Sequence, residues 1–398
     1  MLLRQKSWYL VLVLFVVSTS LRPAITSIGP LMTQIQQHLQ MNALTASLLT
    51  SIPVFCMGVF APLTSSVGLR FGINRAILYC VILIGLATGA RVFTDASVAL
   101  LVTAFAAGVG IAVIGPLLSG FIKEHFPDQA PTMIGIYSLG IGVGATISAG
   151  LSIPISTALS SWNGALAVWA ILSLIGLFMW LPVLTPRPDR PDVLRNGVRR
   201  RGLPWGEGRA WLLLVAFGLQ SGVYYSVTTW LAPQAEELGY TAATAGMVLT
   251  TFSLIQMVSS LIIPIFINRS RSRTPWLVLS CVATVIGLSV CGFWNGPAGP
   301  WVADVFLGVG LGGLFPILLI LPLDETSNGE DASRWTAMMQ CGGYIISGVV
   351  PMLAGAIKDV YGQYRFSFEA LDILALALLV TSFFLAPGRA RGTRSGSR

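Results

Sequence analysis

Twelve apolar segments, each long enough to span a membrane, follow one another along almost the whole sequence. A helix needs about twenty mostly apolar residues to cross the hydrocarbon core of a bilayer. Hydrophobic residues make up 54% of the chain and charged residues only 10%, which is too apolar for a water-soluble fold. We therefore predict an all-α membrane protein whose spans lie near 9–37, 44–68, 75–93, 97–121, 132–157, 163–184, 210–236, 242–267, 275–294, 300–323, 334–357 and 367–386.

The basic residues fall almost entirely on one side of the membrane once the N-terminus is assigned to the cytoplasm. The other side then has only Arg91, Lys358 and Arg365. The predicted cytoplasmic side holds Arg4, Lys6, Arg70, Arg75, Lys123, the basic residues of 187–209, Arg269, Arg271, Arg273, Arg334 and four arginines of the C-terminal tail. Because cytoplasmic loops are enriched in Lys and Arg, we predict that both termini are cytoplasmic and that the protein lies in the cytoplasmic (inner) membrane. The net charge of +8 then reflects topology, and we expect no nucleic acid partner.

The two halves of the chain repeat one another. The segment GVGIAVIGPLL at 108–118 matches GVGLGGLFPIL at 308–318, an offset of 200 residues. A second match pairs Pro30 with Pro233, and it sets Tyr225 opposite Arg22. Parallel repeats of this kind predict two bundles with the solute site at their interface.

A polar stretch rich in Pro, Gly and Arg separates six spans from six. We predict an N-terminal six-helix bundle at 1–186, a basic cytoplasmic linker at 187–209, and a C-terminal six-helix bundle with a basic tail at 210–398. The bundles should be pseudo-symmetric and should rock against each other to expose a central site to either side in turn.

Four segments from both halves carry a family resemblance. They are LRPAITSIGPL (21–31), GVGIAVIGPLLSGFIKEHFP (108–127), YYSVTTWLAP (224–233) and MQCGGYIISGVVPMLAGAIKD (339–359). This set resembles the cyanate permease and 2-nitroimidazole transporter family within the major facilitator superfamily. The resemblance implies a major facilitator fold and a secondary transporter for a small organic or inorganic solute, and it leaves the solute open.

The loop between spans 2 and 3 departs from the wider superfamily pattern, which has an Asp before the Arg. Here Leu69 stands at that position, although Arg70 and Gly72 are kept. We therefore expect the cytoplasmic gate to use Arg70 and Arg75, together with Glu124 or Asp128.

Arg22 is a permanent positive charge within an apolar span, and no acidic residue precedes Asp95. An arginine at the bilayer centre costs about 2.5 to 3.5 kcal/mol even on lenient scales, so it needs a partner. One interpretation is a structural arginine satisfied by carbonyls near Pro23 and by the hydroxyls of Ser18 or Thr26. The other, which we favour, is a ligand for an anionic or strongly polar solute.

Other polar side chains recur at helical spacing on the spans predicted to surround Arg22. The predicted solute-binding residues are Arg22, Thr26, Tyr137, Tyr224, Tyr225, Thr229, Trp230, Gln256, Gln340 and Tyr344. The predicted gating or structural residues are Pro30, Arg70, Arg75, Pro116, Pro233 and Pro316. On span 5, the row of small residues from Gly140 to Ser152 is predicted to serve close helix packing.

Energy coupling and the alternative functions remain open at this point. Asp304 is the one candidate proton site, although a residue one turn inside the membrane can also reach water at the surface. The main alternative is a multidrug efflux transporter, which should have a carboxylate in its cavity. A membrane enzyme or a sensor is less favoured, since no HxxH, GxSxG or Cys/His cluster occurs and the loops are short. We expect no catalytic residue, no cofactor and no metal, and a monomer that binds its solute with or without an exchanged or co-transported ion.

Overall fold

The computed structural model describes residues 2–184, 203–270, 272–294, 296, 298–326 and 329–385. Within that part of the chain, twelve helical segments are long and apolar enough to cross a membrane. Spans 1 to 12 are Trp8–Leu39, Ala43–Phe60, Ile73–Phe93, Ser97–His125, Thr132–Leu159, Trp162–Leu184, Gly208–Glu237, Ala242–Ile267, Thr274–Phe293, Gly299–Glu325, Asp331–Tyr361 and Tyr364–Leu385. The predicted number and order of spans are therefore confirmed.

Some spans contain more than one helix. Span 1 is built from helices Leu2–Thr19, Pro23–Thr26 and Ile28–Leu39, and span 6 from Trp162–Val168, Ala170–Trp180 and the 3₁₀ turn Leu181–Leu184. Span 3 consists of helix Ile73–Gly89 and the 3₁₀ turn Ala90–Phe93. Each of the remaining spans is formed by a single helix: Ala43–Phe60, Ser97–His125, Ala130–Leu159, Gly208–Glu237, Ala242–Arg269, Thr274–Phe293, Gly299–Glu325, Gly329–Tyr361 and Tyr364–Leu385.

Span 2 is shorter than predicted. It ends at Phe60, and a separate helix, Leu63–Phe71, follows Pro62. Proline has no N–H to continue the hydrogen-bond ladder, and it favours the start of a new helix. The predicted end at residue 68 is therefore wrong, and Leu69 and Arg70 lie on this short connecting helix.

The internal repeat is visible in how equivalent glycines pack. A Cβ placed on Gly108 or on Gly308 would lie 2.6 Å from a neighbouring atom, of span 2 in the first case and of span 8 in the second. Likewise a Cβ on Gly110 would lie 2.7 Å from span 3, and one on Gly310 would lie 2.3 Å from span 9. The same close approaches are thus repeated 200 residues apart.

The two halves meet closely at the end of the molecule predicted to be external. A Cβ on Gly29 in span 1 would lie 2.2 Å from the backbone oxygen of Thr228 in span 7. At the end of span 11, the carboxylate oxygens of Asp359 each accept a backbone hydrogen bond of 2.8 Å, from Ala43 N and from Leu44 N at the start of span 2. We call this contact the external clamp.

Two predicted regions lie largely outside the described residues. They are residues 187–202 of the linker and residues 386–398 of the tail. From Gly208 the chain is helical again as span 7. The domain boundaries and the orientation of the termini therefore stay predictions.

Candidate functional site

The helix of span 1 is interrupted just before Arg22. The first helix ends at Thr19 and a short helical turn begins at Pro23, whose missing N–H suits a first helical position. The carbonyl oxygen of Arg22 accepts hydrogen bonds from Ile25 N at 2.9 Å and from Thr26 N at 3.0 Å. These bonds hold the backbone of Arg22 at the break.

The guanidinium of Arg22 lies among tyrosines. Its Nη1 donates a hydrogen bond of 3.0 Å to the phenol oxygen of Tyr225. Its central carbon lies 5.8 Å from the ring centre of Tyr224 and 5.7 Å from that of Tyr225, within the range of cation–π attraction. Tyr137 of span 5 and Tyr344 of span 11 are also close enough to interact with it electrostatically. Four phenols from three spans are therefore within electrostatic range of one guanidinium, and we call this group the Arg22 site.

The tyrosines are held in place by the layer behind them. The ring of Tyr344 packs edge to face on Phe217 at 5.2 Å, and Tyr224 does the same on Tyr225 at 5.2 Å. Thr229, fully buried on span 7, donates a hydrogen bond of 2.7 Å to the backbone oxygen of Tyr225. The geometry around Arg22 is thus fixed by packing before any solute arrives.

The hydroxyls that a purely structural Arg22 would need are engaged elsewhere. Ser18 Oγ donates to the carbonyl oxygen of Leu14 at 2.6 Å. Thr26 Oγ1 lies 2.6 Å from Ser148 Oγ of span 5 and 2.9 Å from the carbonyl oxygen of Arg22. In the part of the chain that the structure describes, Tyr225 is the only side chain that accepts a hydrogen bond from the Arg22 guanidinium.

Ion pairs do not reach Arg22 in the described residues. The pairs found there join basic and acidic side chains at the ends of the spans: Arg209–Glu325, Arg273–Asp324, Arg334–Asp331, Lys358–Glu237 and Arg365–Glu369. Arg22 itself is partly exposed, so its remaining N–H groups can meet a ligand. A site with a cation, four phenol donors and no described carboxylate suits an anion.

Three other residues predicted to bind the solute make no described contact with Arg22. Trp230 is fully buried, donates to the backbone oxygen of Pro351 at 3.1 Å, and packs on Tyr364 at 5.4 Å. Gln256 and Gln340 are partly buried, and no contact between them and Arg22 is found in the described residues. Trp230 is thus engaged between spans 7, 11 and 12, and the roles of all three stay predictions.

The small residues of span 5 pack against the broken part of span 1, as predicted. A Cβ on Gly140 would lie 2.8 Å from the carbonyl oxygen of Phe15, and one on Gly144 would lie 2.2 Å from that of Thr19. Ser148 continues the row with its contact to Thr26. This close approach brings Tyr137, on the same helix, beside Arg22.

The predicted gating residues are spread over both ends. Pro30 and Pro233 are buried, whereas Pro116 is exposed and Pro316 partly exposed within otherwise continuous helices. Arg70 and Arg75 are both exposed, and the Arg70 guanidinium lies 5.5 Å from the ring of Phe71. Neither arginine forms an ion pair with Glu124 or Asp128 in the described residues, so that version of the gate stays a prediction.

Two charged residues are more deeply buried than the sequence indicated. Arg91, predicted to lie at the external face, is fully buried and donates to the backbone oxygen of Ala24 at 2.8 Å. Asp304 of span 10 is also fully buried, and neither of its carboxylate oxygens has a hydrogen-bond partner in the described part of the chain. The idea that Asp304 simply reaches water is therefore wrong.

Sequence reasoning missed three residues close to the site. Met57 of span 2 has its sulfur 3.8 Å from the phenol oxygen of Tyr225, and Phe217 packs on Tyr344. Gly115 of span 4 lies beside Tyr137: a Cβ there would be 3.5 Å from its phenol oxygen. Only Gly115 left a signal in the sequence, because it lies in the repeated Gly-Pro segment at 108–118.

Comparisons with known proteins agree with this architecture. The chain matches the Major Facilitator Superfamily over residues 10–326 and 231–398. It is 31% identical to the cyanate transport protein CynX of Escherichia coli over 94% of this chain and 97% of that protein, and 28% identical to the 2-nitroimidazole transporter of the same organism over 96% and 95%. Among solved structures, it resembles a D-xylose-proton symporter (TM-score 0.78, 15% identity, 96% and 98% coverage) and the nucleoside transporter NupG (0.76, 13%, 94% and 99%). These similarities confirm the predicted fold class and the family resemblance.

Proposed function

The chain belongs to the Major Facilitator Superfamily, and we propose that it carries a small anionic or strongly polar solute, bound at Arg22, across the membrane by alternating access. Its similarity to transporters along nearly its whole length makes it a multi-pass membrane transporter and not an enzyme. The proposal concerns the solute and the site.

One observation carries the proposal: the Arg22 guanidinium is partly exposed at the centre of the spans without a described carboxylate partner. A charge within the membrane needs a partner of opposite sign or several hydrogen bonds. Tyr225 supplies one such bond, and a solute anion would supply the rest. The phenols of Tyr137, Tyr224 and Tyr344 can donate to the same anion.

The names of two relatives fit the chemistry of this site. Cyanate is a small linear anion, and 2-nitroimidazole is a flat ring with polar nitro oxygens. A guanidinium binds oxygen atoms of either kind, and the rings of Tyr224 and Tyr225 offer flat faces to a conjugated solute. We therefore extend the proposal to cyanate-like anions, carboxylates and nitro-aromatic compounds.

Efflux of cationic or neutral drugs is the weaker alternative. A cation would have to enter a site that already holds a guanidinium, and like charges at close range repel. Tyrosines, not carboxylates, are the described side chains that interact with Arg22. The alternative would be supported by binding of a hydrophobic cation that survives Arg22→Ala.

For alternating access, we propose that residues 1–186 and 210–398 rock against each other. The contacts at the external end, between Gly29 and Thr228 and at Asp359, would have to open in the other state. Arg22 and Tyr225 belong to opposite halves, so the solute would bind between the two bodies that move.

We further propose Asp304 as the group to test for proton coupling. Its carboxyl group is fully buried, and both oxygens lack a described hydrogen-bond partner. A carboxylate anion in that position is costly, so Asp304 would bind a proton in this state. Release of that proton in the other state would couple proton movement to the transport cycle. Uptake by the Asp304→Asn protein should then lose its dependence on the proton gradient.

A thermal-stability screen of the purified protein tests the anion site. Ligands that bind the folded state raise the melting temperature by mass action. We expect cyanate, benzoate or 4-nitrobenzoate to do so, and we expect choline and glucose to have no effect. The shift should disappear in Arg22→Ala and weaken in Arg22→Lys, because lysine keeps the charge but lacks the planar fork.

Arg365→Gln is the matched control, since it also removes one guanidinium. Arg365 is exposed and pairs with Glu369 on its own helix at 2.7 Å, away from the site. Its variant should bind anions as the wild type does. Equal anion binding by wild type and Arg22→Ala would show that Arg22 is not the solute ligand.

A further inference from the structure

We propose that Gly115 of span 4 sets the size of the solute that the Arg22 site admits, an inference that rests on the proposed function. In this proposal, glycine at position 115 leaves room for an anion built on a single flat ring. A larger side chain there would leave room only for a small linear anion such as cyanate.

The glycines of span 4 differ in what they face. Gly108 and Gly110 allow close helix packing, because a Cβ on either would come within 2.7 Å of a neighbouring span. A Cβ on Gly115 would instead meet one described atom within 4 Å, the phenol oxygen of Tyr137 at 3.5 Å, which is an ordinary contact. Helix packing therefore does not explain the glycine at position 115.

The free space beside Gly115 belongs to the Arg22 site. Tyr137 interacts electrostatically with both Arg22 and Tyr225, and its phenol oxygen marks the edge of the space in front of Gly115. Gly115 is partly exposed, and the next residue, Pro116, is exposed. A solute bound to Arg22 can therefore extend past the Tyr137 phenol towards span 4.

The repeat shows what a filled version of this space looks like. Phe315 is the equivalent of Gly115, since Pro116 and Pro316 align 200 residues apart. The Phe315 ring lies 6.1 Å from Phe217, which in turn packs on Tyr344 at 5.2 Å. One half of the site is thus lined by a benzyl group where the other half has only a hydrogen atom.

This asymmetry indicates how a solute is oriented. Its charged group would bind Arg22, and its body would point towards spans 4 and 5, where the missing side chain leaves room. On the other side, the benzyl group of Phe315 occupies the equivalent position. The solute class that uses the whole space is an aromatic carboxylate or nitro compound with one ring, and cyanate would occupy only the part next to Arg22.

The experiment compares two probes, cyanate and 4-nitrobenzoate, by thermal-shift titration of the purified full-length protein. We expect Gly115→Leu to weaken 4-nitrobenzoate binding by at least about tenfold, because a leucine side chain takes up the volume of the ring. Cyanate binding should change by less than about threefold. Gly115→Ala should weaken 4-nitrobenzoate binding by a smaller factor, about threefold, and leave cyanate binding unchanged. This variant replaces Gly115→Leu as the test if the leucine protein does not fold.

Gly120→Ala is the matched control on the same helix. A Cβ on Gly120 would lie 3.6 Å from Ile73, nearly the same clearance as at Gly115, but it would face span 3. This variant should bind both probes as the wild type does. It separates an effect on the site from a general effect of alanine in span 4.

The failure of this inference is distinct from that of the proposed function. If the wild type binds both probes in an Arg22-dependent way, but the Gly115 variants bind 4-nitrobenzoate normally or lose both probes equally, the size inference is wrong and the anion site stands. If the wild type binds neither probe, or binds both without Arg22, the proposed site is wrong and the inference is overturned with it.

Discussion

The external clamp predicts that Asp359→Asn shifts the protein towards the state that is open at that end. Asp359 lies on span 11, and its two bonds of 2.8 Å reach the first two backbone N–H groups of span 2. The clamp therefore joins the two halves, and it places a negative charge at the positive end of a helix. Asparagine keeps the shape but loses the charge and one of the two acceptors.

The expected magnitude follows from the exposure of the pair. A hydrogen bond to a charged group contributes about 1.5 to 3 kcal/mol when it is buried, whereas exposed ion pairs contribute about 0 to 1. Asp359 is exposed, and one of its bonds is part-buried while the other is exposed, so we expect a loss of about 1 to 2 kcal/mol in total. That free energy changes the ratio of the two states by about 5- to 30-fold.

Alkylation of a single cysteine measures this ratio. Thr33 of span 1 is partly exposed and interacts with Glu236 of span 7, so Thr33→Cys should react with a maleimide much faster when the external end opens. In a background without the native cysteines, and in detergent solution, the rate follows the open fraction while opening is faster than alkylation. We expect Asp359→Asn to raise that rate by about 5- to 30-fold.

Glu369→Gln provides the control, because it removes one acidic charge at the same end of the molecule. Its partner Arg365 lies on the same helix, so this contact does not join the halves. The control should react at the wild-type rate. A rate for Asp359→Asn that equals the control, or falls below it, would refute the clamp.

Four further predictions follow from contacts in the site and the helix interfaces. Tyr225→Phe should weaken anion binding by about 3- to 10-fold in thermal-shift titrations, because it keeps the ring but removes the phenol partner of Arg22. Gly29→Ala should raise the Thr33→Cys alkylation rate, since its Cβ would lie 2.2 Å from a backbone oxygen of span 7; an unchanged rate would contradict the closed packing. Asp304→Asn should leave the melting temperature nearly unchanged, because it replaces a buried carboxyl group, proposed to be protonated in this state, with a neutral amide of the same shape. Arg91→Lys should lower the melting temperature by more than Arg365→Gln does, as lysine cannot reproduce the buried guanidinium contact with a backbone carbonyl.

The fold was predictable because length and apolar composition determine a membrane helix almost alone. The pairing of Arg22 with Tyr225 was also predictable, since aligning the repeats set these residues opposite each other, and they are hydrogen-bonded in the structure. Both results depend on linear patterns that survive in a single sequence. Neither needs knowledge of how far apart two helices pack.

The rest of the site depends on helix rotation, which the sequence does not encode clearly. Span 7 is buried on most sides, and its polar residues form two adjacent rows at i+4 spacing, so the sequence shows no single polar face. The rows are Gln220, Tyr224, Thr228 and Ser221, Tyr225, Thr229. In the structure, Tyr225 faces Arg22, whereas Trp230 donates a hydrogen bond to the backbone oxygen of Pro351 on span 11. The proposed role of Gly115 could not be inferred from the sequence for a similar reason, because an absent side chain has meaning only once its neighbours are known.

The hydrogen bond between Arg22 and Tyr225 joins equivalent positions of the two repeats, so it lies near the axis that relates them. Arg22 also lies about midway along span 1, so the rotation axis of the proposed cycle would pass close to this contact. Points near a rotation axis barely move. Glu237, at the end of span 7, lies about 18 Å along the helix from Tyr225 and would move by about 3 Å for a rotation of about 10°. The anion would therefore stay almost still while the two ends of the protein open and close in turn. A mutation at this contact should alter the solute affinity and the turnover rate together, since the same bond lies at the solute site and joins the two halves that rotate.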